Sequence, residues 1–259
     1  ARGRGDRVQA AAIVGLADPA LEAEVDRLDW FHLGELATLL AIFRANGVED
    51  AAMAGKVPKD FLVRDPGALR LDALALEALA GLADRADDSL LGAFADALER
   101  GGVRLHGQAA WAPELLVPVG TLGSHAPDDA LRADVAYGWP IARTLGGLDV
   151  GQSVVVKERA VLAIEAIEGT DAALARGAAL GGAGVVLVKV AKPAQDPRFD
   201  VPVIGLGTIE ALCAAGARGV AVEAGETVFL ERESALARAD EAGLVVLGVE
   251  DPSRPGVGT

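Results

Sequence analysis

The chain has 259 residues, 51% of them hydrophobic and 24% charged, which is enough for one large core or two ordinary ones and too apolar for a disordered chain. Its 24 basic against 38 acidic residues give a formal charge of −14, which repels a phosphate backbone and argues against nucleic acid as a partner. A single cysteine, Cys213, excludes an internal disulfide and fits a reducing compartment. With no run of about 18 uncharged apolar residues and no basic start leading into an apolar stretch, neither a transmembrane span nor a signal peptide is expected, and the protein reads as cytoplasmic.

In chain order, residues 8–16 form a continuous apolar run, the pattern of a buried strand. Leu36, Leu39, Leu40 and Phe43 then fall at helical spacing, closed by Asn46-Gly47. A short strand is expected at 49–55, and helices at 72–84 and 89–100. Strand, helix, strand, helix implies a parallel sheet with helical cover. Between 113 and 127 the periodicity fades while Gly, Pro, Thr and Ser accumulate, as in a linker. The expected division is a first domain at 1–122 and a second at 128–259, both α/β.

The second domain opens with a helix over 128–145. Apolar runs at 153–156 and 160–166 flank Lys157-Glu158-Arg159 and predict a hairpin. A helix near Asp171 follows, then a strand at 185–190, an irregular loop to Pro202 and a helix near Thr208. Strands at 219–223 and 227–230, a helix ending at 242 and a strand at 244–248 complete the pattern.

Chemistry concentrates between 185 and 205. An apolar strand that carries Lys189 near its carboxyl end, with Lys192 just beyond, puts two ammonium groups where open α/β sheets bind ligands, and so points to an anion. A lysine in such a strand is costly to desolvate without a partner charge, and a buried ion pair with Asp196 or Asp200 is the plainer reading. Asp196, Arg198 and Asp200 lie on a segment stiffened by Pro193, Pro197 and Pro202. Two carboxylates held in a loop suit Mg²⁺, which takes one or two protein oxygens and completes its shell with water and phosphate; a solvated acidic turn would have the same sequence. Glu168-Gly169-Thr170-Asp171 leads into a helix whose N-terminus could receive a phosphate, or Thr170 or Asp171 could simply cap it.

The three histidines, His32, His106 and His125, have no ligand spacing, and H-E-x-x-H, C-x-x-C and G-x-x-x-x-G-K-[ST] do not occur. Zinc hydrolases, P-loop NTPases and histidine-rich dinuclear phosphoesterases are thereby disfavoured.

Three blocks carry a resemblance: Leu148-Asp-Val-Gly-Gln-Ser-Val-Val-Val156, Ala163-Ile-Glu-Ala-Ile-Glu-Gly-Thr-Asp171 and Lys189-Val-Ala-Lys-Pro-Ala-Gln-Asp-Pro-Arg-Phe-Asp200. With Val222-Glu-Ala-Gly-Glu-Thr227 and Leu244-Val-Val-Leu-Gly-Val249, they resemble, in order and spacing, the UDP-2,3-diacylglucosamine pyrophosphatases of lipid A biosynthesis that lack the calcineurin-like fold. In the first half the match is looser and rests on 30–40, 53–57 and 87–91.

The resemblance implies a Rossmann-like N-terminal domain, a distinct mixed α/β second domain, and Mg²⁺-dependent cleavage of UDP-2,3-diacylglucosamine to UMP and 2,3-diacylglucosamine 1-phosphate. By position, Asp200 corresponds to the essential acidic residue. Lys189 and Asp196 would join it in catalysis, Asp200 and Asp196 would hold Mg²⁺, and Lys192, Gln195, Arg198, Glu168, Thr170 and Asp171 would bind substrate. The family usually opens with a strand and a Gly-rich turn, and this chain starts beyond them, so the first Rossmann strand is expected to be missing. A lipid substrate without a membrane span implies transient contact with the inner membrane surface, and the oligomeric state stays open, a homodimer included. A non-catalytic carrier of a nucleotide sugar or lipid phosphate would use the same cations.

Overall fold

The computed structural model of the chain describes residues 5–55, 57, 66–80, 87–193, 196–198 and 201–251. Its contacts form two compact units, Ala1–Trp111 with Asp196–Phe199, and Ala112–Gln195 with Asp200–Thr259.

In the first unit, strand β1 (Gln9–Ile13) runs parallel to β2 (Arg27–Phe31), and β3 (Asp50–Ala52) runs parallel to β4 (Arg104–His106). Helices α1 (Leu36–Ala45), α2 (Ala73–Ala80), α3 (Asp87–Arg100) and α4 (Gln108–Trp111) complete its regular structure. The strands are parallel, as the alternation of strand and helix requires. Among the described residues, however, they form two separate pairs rather than one sheet. The core is the apolar face of α1, with Leu36, Leu39, Leu40 and Phe43 buried against Phe31, Leu98, Val103 and Leu105. Strand β2 was not expected, because Asp29 interrupts its apolar pattern. That carboxylate is satisfied from both sides, by Arg27 at 2.7 Å and by Gln9 at 2.8 Å. Of the helix expected over 72–84, residues 81–84 lie outside the described residues.

The second unit is built on a six-stranded sheet in the order β5-β12-β10-β8-β6-β7. These strands are β5 (Gly120–Leu122), β6 (Ser153–Lys157), β7 (Ala160–Ile164), β8 (Val186–Lys189), β10 (Gly219–Glu223) and β12 (Val245–Val249). Strands β8, β10 and β12 are mutually parallel, while β5, β6 and β7 each run antiparallel to their neighbours. A separate parallel pair joins β9 (Val203–Ile204) to β11 (Val228–Phe229). Strand β5 lies inside the stretch expected to be a linker; three residues, one of them Gly120 at φ 112°, are too few to show a period.

Alternation along the strands sorts their side chains to two faces. Val155, Leu187, Val220, Val222 and Val246 pack on α6 (Thr170–Gly181), α7 (Leu206–Ala214) and α8 (Arg232–Glu241). Val154, Val156, Val186, Val188, Ala221 and Leu247 pack on α5 (Asp129–Gly147). Because both faces are covered, the strands read as apolar runs without polar alternation, and each fully buried Val or Leu contributes about 1.5–3 kcal/mol. The expected β6–β7 hairpin turns through Glu158 and Arg159, both with positive φ, a conformation that suits the twist of the strands. The buried Asp134 carboxylate accepts the Arg159 N–H at 2.7 Å and fixes that turn to α5.

Candidate active site

The sheet of the second unit brings one edge of polar residues together. Lys189 ends β8 and pairs in register with Val222 on one side and Ser153 on the other, while Glu223 ends β10 opposite Val249. The carboxyl ends of the three parallel strands therefore meet the start of β6 and the end of β7, where the Glu165 N–H donates to the Ser153 carbonyl at 2.9 Å. Gly151 makes this approach feasible, since a Cβ there would stand 2.1 Å from the Glu165 carbonyl oxygen.

The alternation that sorts the core sorts this edge as well. Lys189 follows Leu187 onto the face covered by α6, and it is 8% exposed. Its Nζ donates to Thr170 Oγ1 at 3.1 Å, and the same hydroxyl donates to Glu165 Oε1 at 2.8 Å. The Gln152 N–H donates to Glu165 Oε2 at 3.3 Å, and Ser153 Oγ stands 3.4 Å from Thr170 Oγ1. One ammonium, two hydroxyls and one carboxylate thus form a chain across the start of α6. Neither of the caps expected at this helix is present: Gly169 occupies the N-cap position with φ 85°, and no side chain closes it. The Thr170 hydroxyl is turned to Lys189 and Glu165 instead.

Glu223 follows Ala221 onto the opposite face, toward α5. There Arg143 Nη1 reaches Glu223 Oε2 at 3.3 Å and the Ala191 carbonyl at 2.8 Å, while Arg143 Nη2 pairs with Asp251 Oδ2 at 3.0 Å. The two carboxylates are 1% and 2% exposed and the guanidinium 16%. Sequence reasoning missed this group. Its one signal was an acid closing the otherwise apolar run Gly-Val-Ala-Val-Glu of β10, and nothing in the chain links that acid to an arginine 80 residues earlier.

The other expected residues are placed as follows. Lys192 Nζ meets Asp149 Oδ1 at 2.6 Å. Glu168 pairs with Arg176, and its carboxyl is held below the ordinary range by its own backbone N–H first and by Arg176 second. Asp171 is exposed in the first turn of α6. Asp196 and Arg198 belong to the first unit, where Arg198 Nε and Nη2 approach Asp196 Oδ2 at 3.0 and 2.7 Å, and Nη1 reaches Glu99 at 2.8 Å. That arginine lowers the Asp196 pKa, through its side-chain hydrogen bonds before its charge. Gln195 and Asp200 lie outside the described residues.

Of the two expected Mg²⁺ ligands, Asp196 has both oxygens engaged by Arg198. Among the described residues no group of three or more His, Cys, Asp or Glu side chains is arranged to hold a metal ion, so they do not by themselves furnish a cation cage. Nor, among the described residues, is any helix long and apolar enough to cross a membrane.

Comparison with known proteins agrees along the length of the chain. Residues 1–115 match the model of the LpxI N-terminal domain, and residues 118–247 that of the LpxI C-terminal domain. A curated relative from Caulobacter vibrioides, described as UDP-2,3-diacylglucosamine pyrophosphatase LpxI, is 38% identical over 254 residues, a span that covers 92% of this chain and 87% of the relative.

Proposed function

The chain belongs to the LpxI family, and from that premise we propose that it hydrolyses the pyrophosphate bond of UDP-2,3-diacylglucosamine, releasing UMP and 2,3-diacylglucosamine 1-phosphate. The carrying observation is the relative of that name, matched over 92% of this chain. The Lys189 edge supports it: a buried ammonium at the carboxyl end of a parallel strand is suited to a diphosphate, whose charge must be offset as the phosphoryl group transfers.

In this reading Lys189 and Lys192 bind the diphosphate. Thr170 and Glu165 orient Lys189, since a hydroxyl that gives its one proton to Glu165 keeps a lone pair for the ammonium. Arg198, whose guanidinium is oriented by Asp196 and Glu99, is a further proposed substrate-binding residue. Asp200 is the proposed essential acid, and Gln195, Glu168 and Asp171 the remaining polar contacts. Mg²⁺ dependence is proposed on the resemblance of the block from Lys189 to Asp200 alone; bound there, the ion would neutralise phosphate charge and activate water. The lipid substrate calls for transient contact with a membrane surface.

The test is direct. The full chain, incubated with UDP-2,3-diacylglucosamine and Mg²⁺, is expected to release UMP, and chelation is expected to stop release. Asp200→Ala is expected to abolish turnover while circular dichroism stays unchanged. Intact ligand recovered from the wild-type chain would instead indicate a carrier, and near-normal turnover by Asp200→Ala would remove that residue from the mechanism.

A further inference from the structure

Arg143 and Glu223 hold both hydrogen-bonding groups of a single residue, Ala191. Its N–H donates to Glu223 Oε2 at 2.8 Å, and its carbonyl accepts from Arg143 Nη1 at 2.8 Å. Ala191 is 2% exposed and sits between the two lysines of the proposed site. The regular ladder between β8 and β10 ends one step earlier, at the Lys189–Val222 pair. Beyond it, side chains take over the work of the missing strand partner: the Glu223 carboxylate takes the N–H, and Arg143 takes the carbonyl. Arg143 is in turn fixed by Asp251 at 3.0 Å. On the other side of the strand the Val190 N–H donates to the Gln152 carbonyl at 3.0 Å.

Stability does not account for this group. Burying two carboxylates and a guanidinium carries a desolvation cost, and apolar residues of similar volume usually serve a core as well or better. What an apolar replacement cannot do is hold a peptide group in one orientation. We infer that Arg143 and Glu223 are positioning residues, which clamp the two peptide groups flanking Ala191 and so set the spacing and direction of Lys189 and Lys192 toward their anionic ligand. The inference rests on the diphosphate-hydrolysis reading for its functional consequence, but the clamp itself can be measured without substrate.

Two variants of one residue isolate the clamp. Glu223→Gln and Glu223→Leu both remove the charge and leave Arg143 paired with Asp251, but only the glutamine keeps an oxygen for the Ala191 N–H. In the full chain, amide hydrogen exchange at Ala191 is expected to stay slow in Glu223→Gln and to accelerate in Glu223→Leu. The fall in kcat/KM is expected to be small for the first and about 10- to 100-fold for the second, the usual cost of loosening a site's support. A merely structural role would lower the melting temperature of both variants alike and leave the kcat/KM of the folded fraction unchanged; that pattern overturns the inference. Should Glu223→Leu not fold, Arg143→Lys replaces it: a compact ammonium does not reproduce the planar fork whose Nη1 meets Ala191 and Glu223 and whose Nη2 meets Asp251, so the same accelerated exchange and reduced kcat/KM are expected, and parental values would overturn the inference. If the wild-type chain releases no UMP, the hydrolytic reading fails, while the exchange contrast still decides the clamp: protection of Ala191 in both Glu223 variants would refute it.

Discussion

The Thr170 hydroxyl is the residue on which the Lys189 edge turns, because one oxygen serves both an ammonium and a carboxylate. Thr170→Val keeps the shape and removes the hydroxyl, leaving Lys189 without this acceptor and Glu165 without this donor. The expected loss is about 1–3 kcal/mol of stability and about tenfold in UMP release, a factor worth about 1.4 kcal/mol. Thr170→Ser should restore most of both; a valine variant with parental turnover would count against the arrangement. Asp196 gives a pH prediction. Arg198 depresses its folded pKa, so its contribution is fully present above the ordinary carboxylate value of about 3.9 and is lost as pH falls through the depressed value. Carboxylate NMR of the full chain should show Asp196 titrating below the ordinary carboxylate range, and Arg198→Met should raise it toward that range, the backbone N–H of residue 198 still donating to it; an ordinary midpoint in the parent would contradict the pairing. Lys189 was legible because a charge inside an apolar run stands out, and Lys192 and Thr170 because they flank such runs. Arg143 and Glu165 were not singled out, since an arginine in a helix and a glutamate after a strand are ordinary in sequence and become distinctive only through partners remote along the chain.

Among the elements, the long apolar strands of the second unit and α1 were placed from periodicity to within a few residues, because strands covered on both faces read as unbroken apolar runs and α1 as a single apolar stripe. Elements of two or three residues, β4, β5 and β9, carry no period and were invisible, and β2 was hidden by a polar residue, Asp29, whose partners are Arg27 of the same strand and Gln9 of its neighbour. Capping was likewise tertiary. Asp72 precedes α2 and its Oδ1 accepts the Ala75 N–H at 2.9 Å, but its Oδ2 also accepts the Ala37 N–H of α1 at 2.6 Å. One carboxylate therefore satisfies the open N–H groups of two helices. Asp72→Ala should cost about 1–2 kcal/mol, read as an earlier urea transition of the first unit, and Asp72→Asn should recover part of it. An unchanged transition in the alanine variant would show that these caps do not matter to the unit.

For the whole molecule, the charge of −14 bears on the proposed contact with a membrane surface. Co-sedimentation with anionic vesicles should be weak at about 0.01 M salt and rise toward about 0.15 M, as the screening length shrinks from about 30 to about 8 Å, while binding to neutral vesicles should change little. Stronger binding to anionic vesicles at low salt would mean that a local basic surface overrides the net charge. The sequence by itself determined the α/β class, most of the regular elements, the family and the lysine-bearing strand end, because burial, periodicity and ordered blocks of residues are all written along the chain. Only the tertiary structure decided that Thr170 faces Lys189 rather than capping its helix, that Asp196 is occupied by Arg198, and that Arg143 and Glu223 grip Ala191. The reason is physical: which face a side chain takes depends on strand register and helix docking, and those bring together residues as far apart in sequence as Arg143 and Asp251, 108 positions.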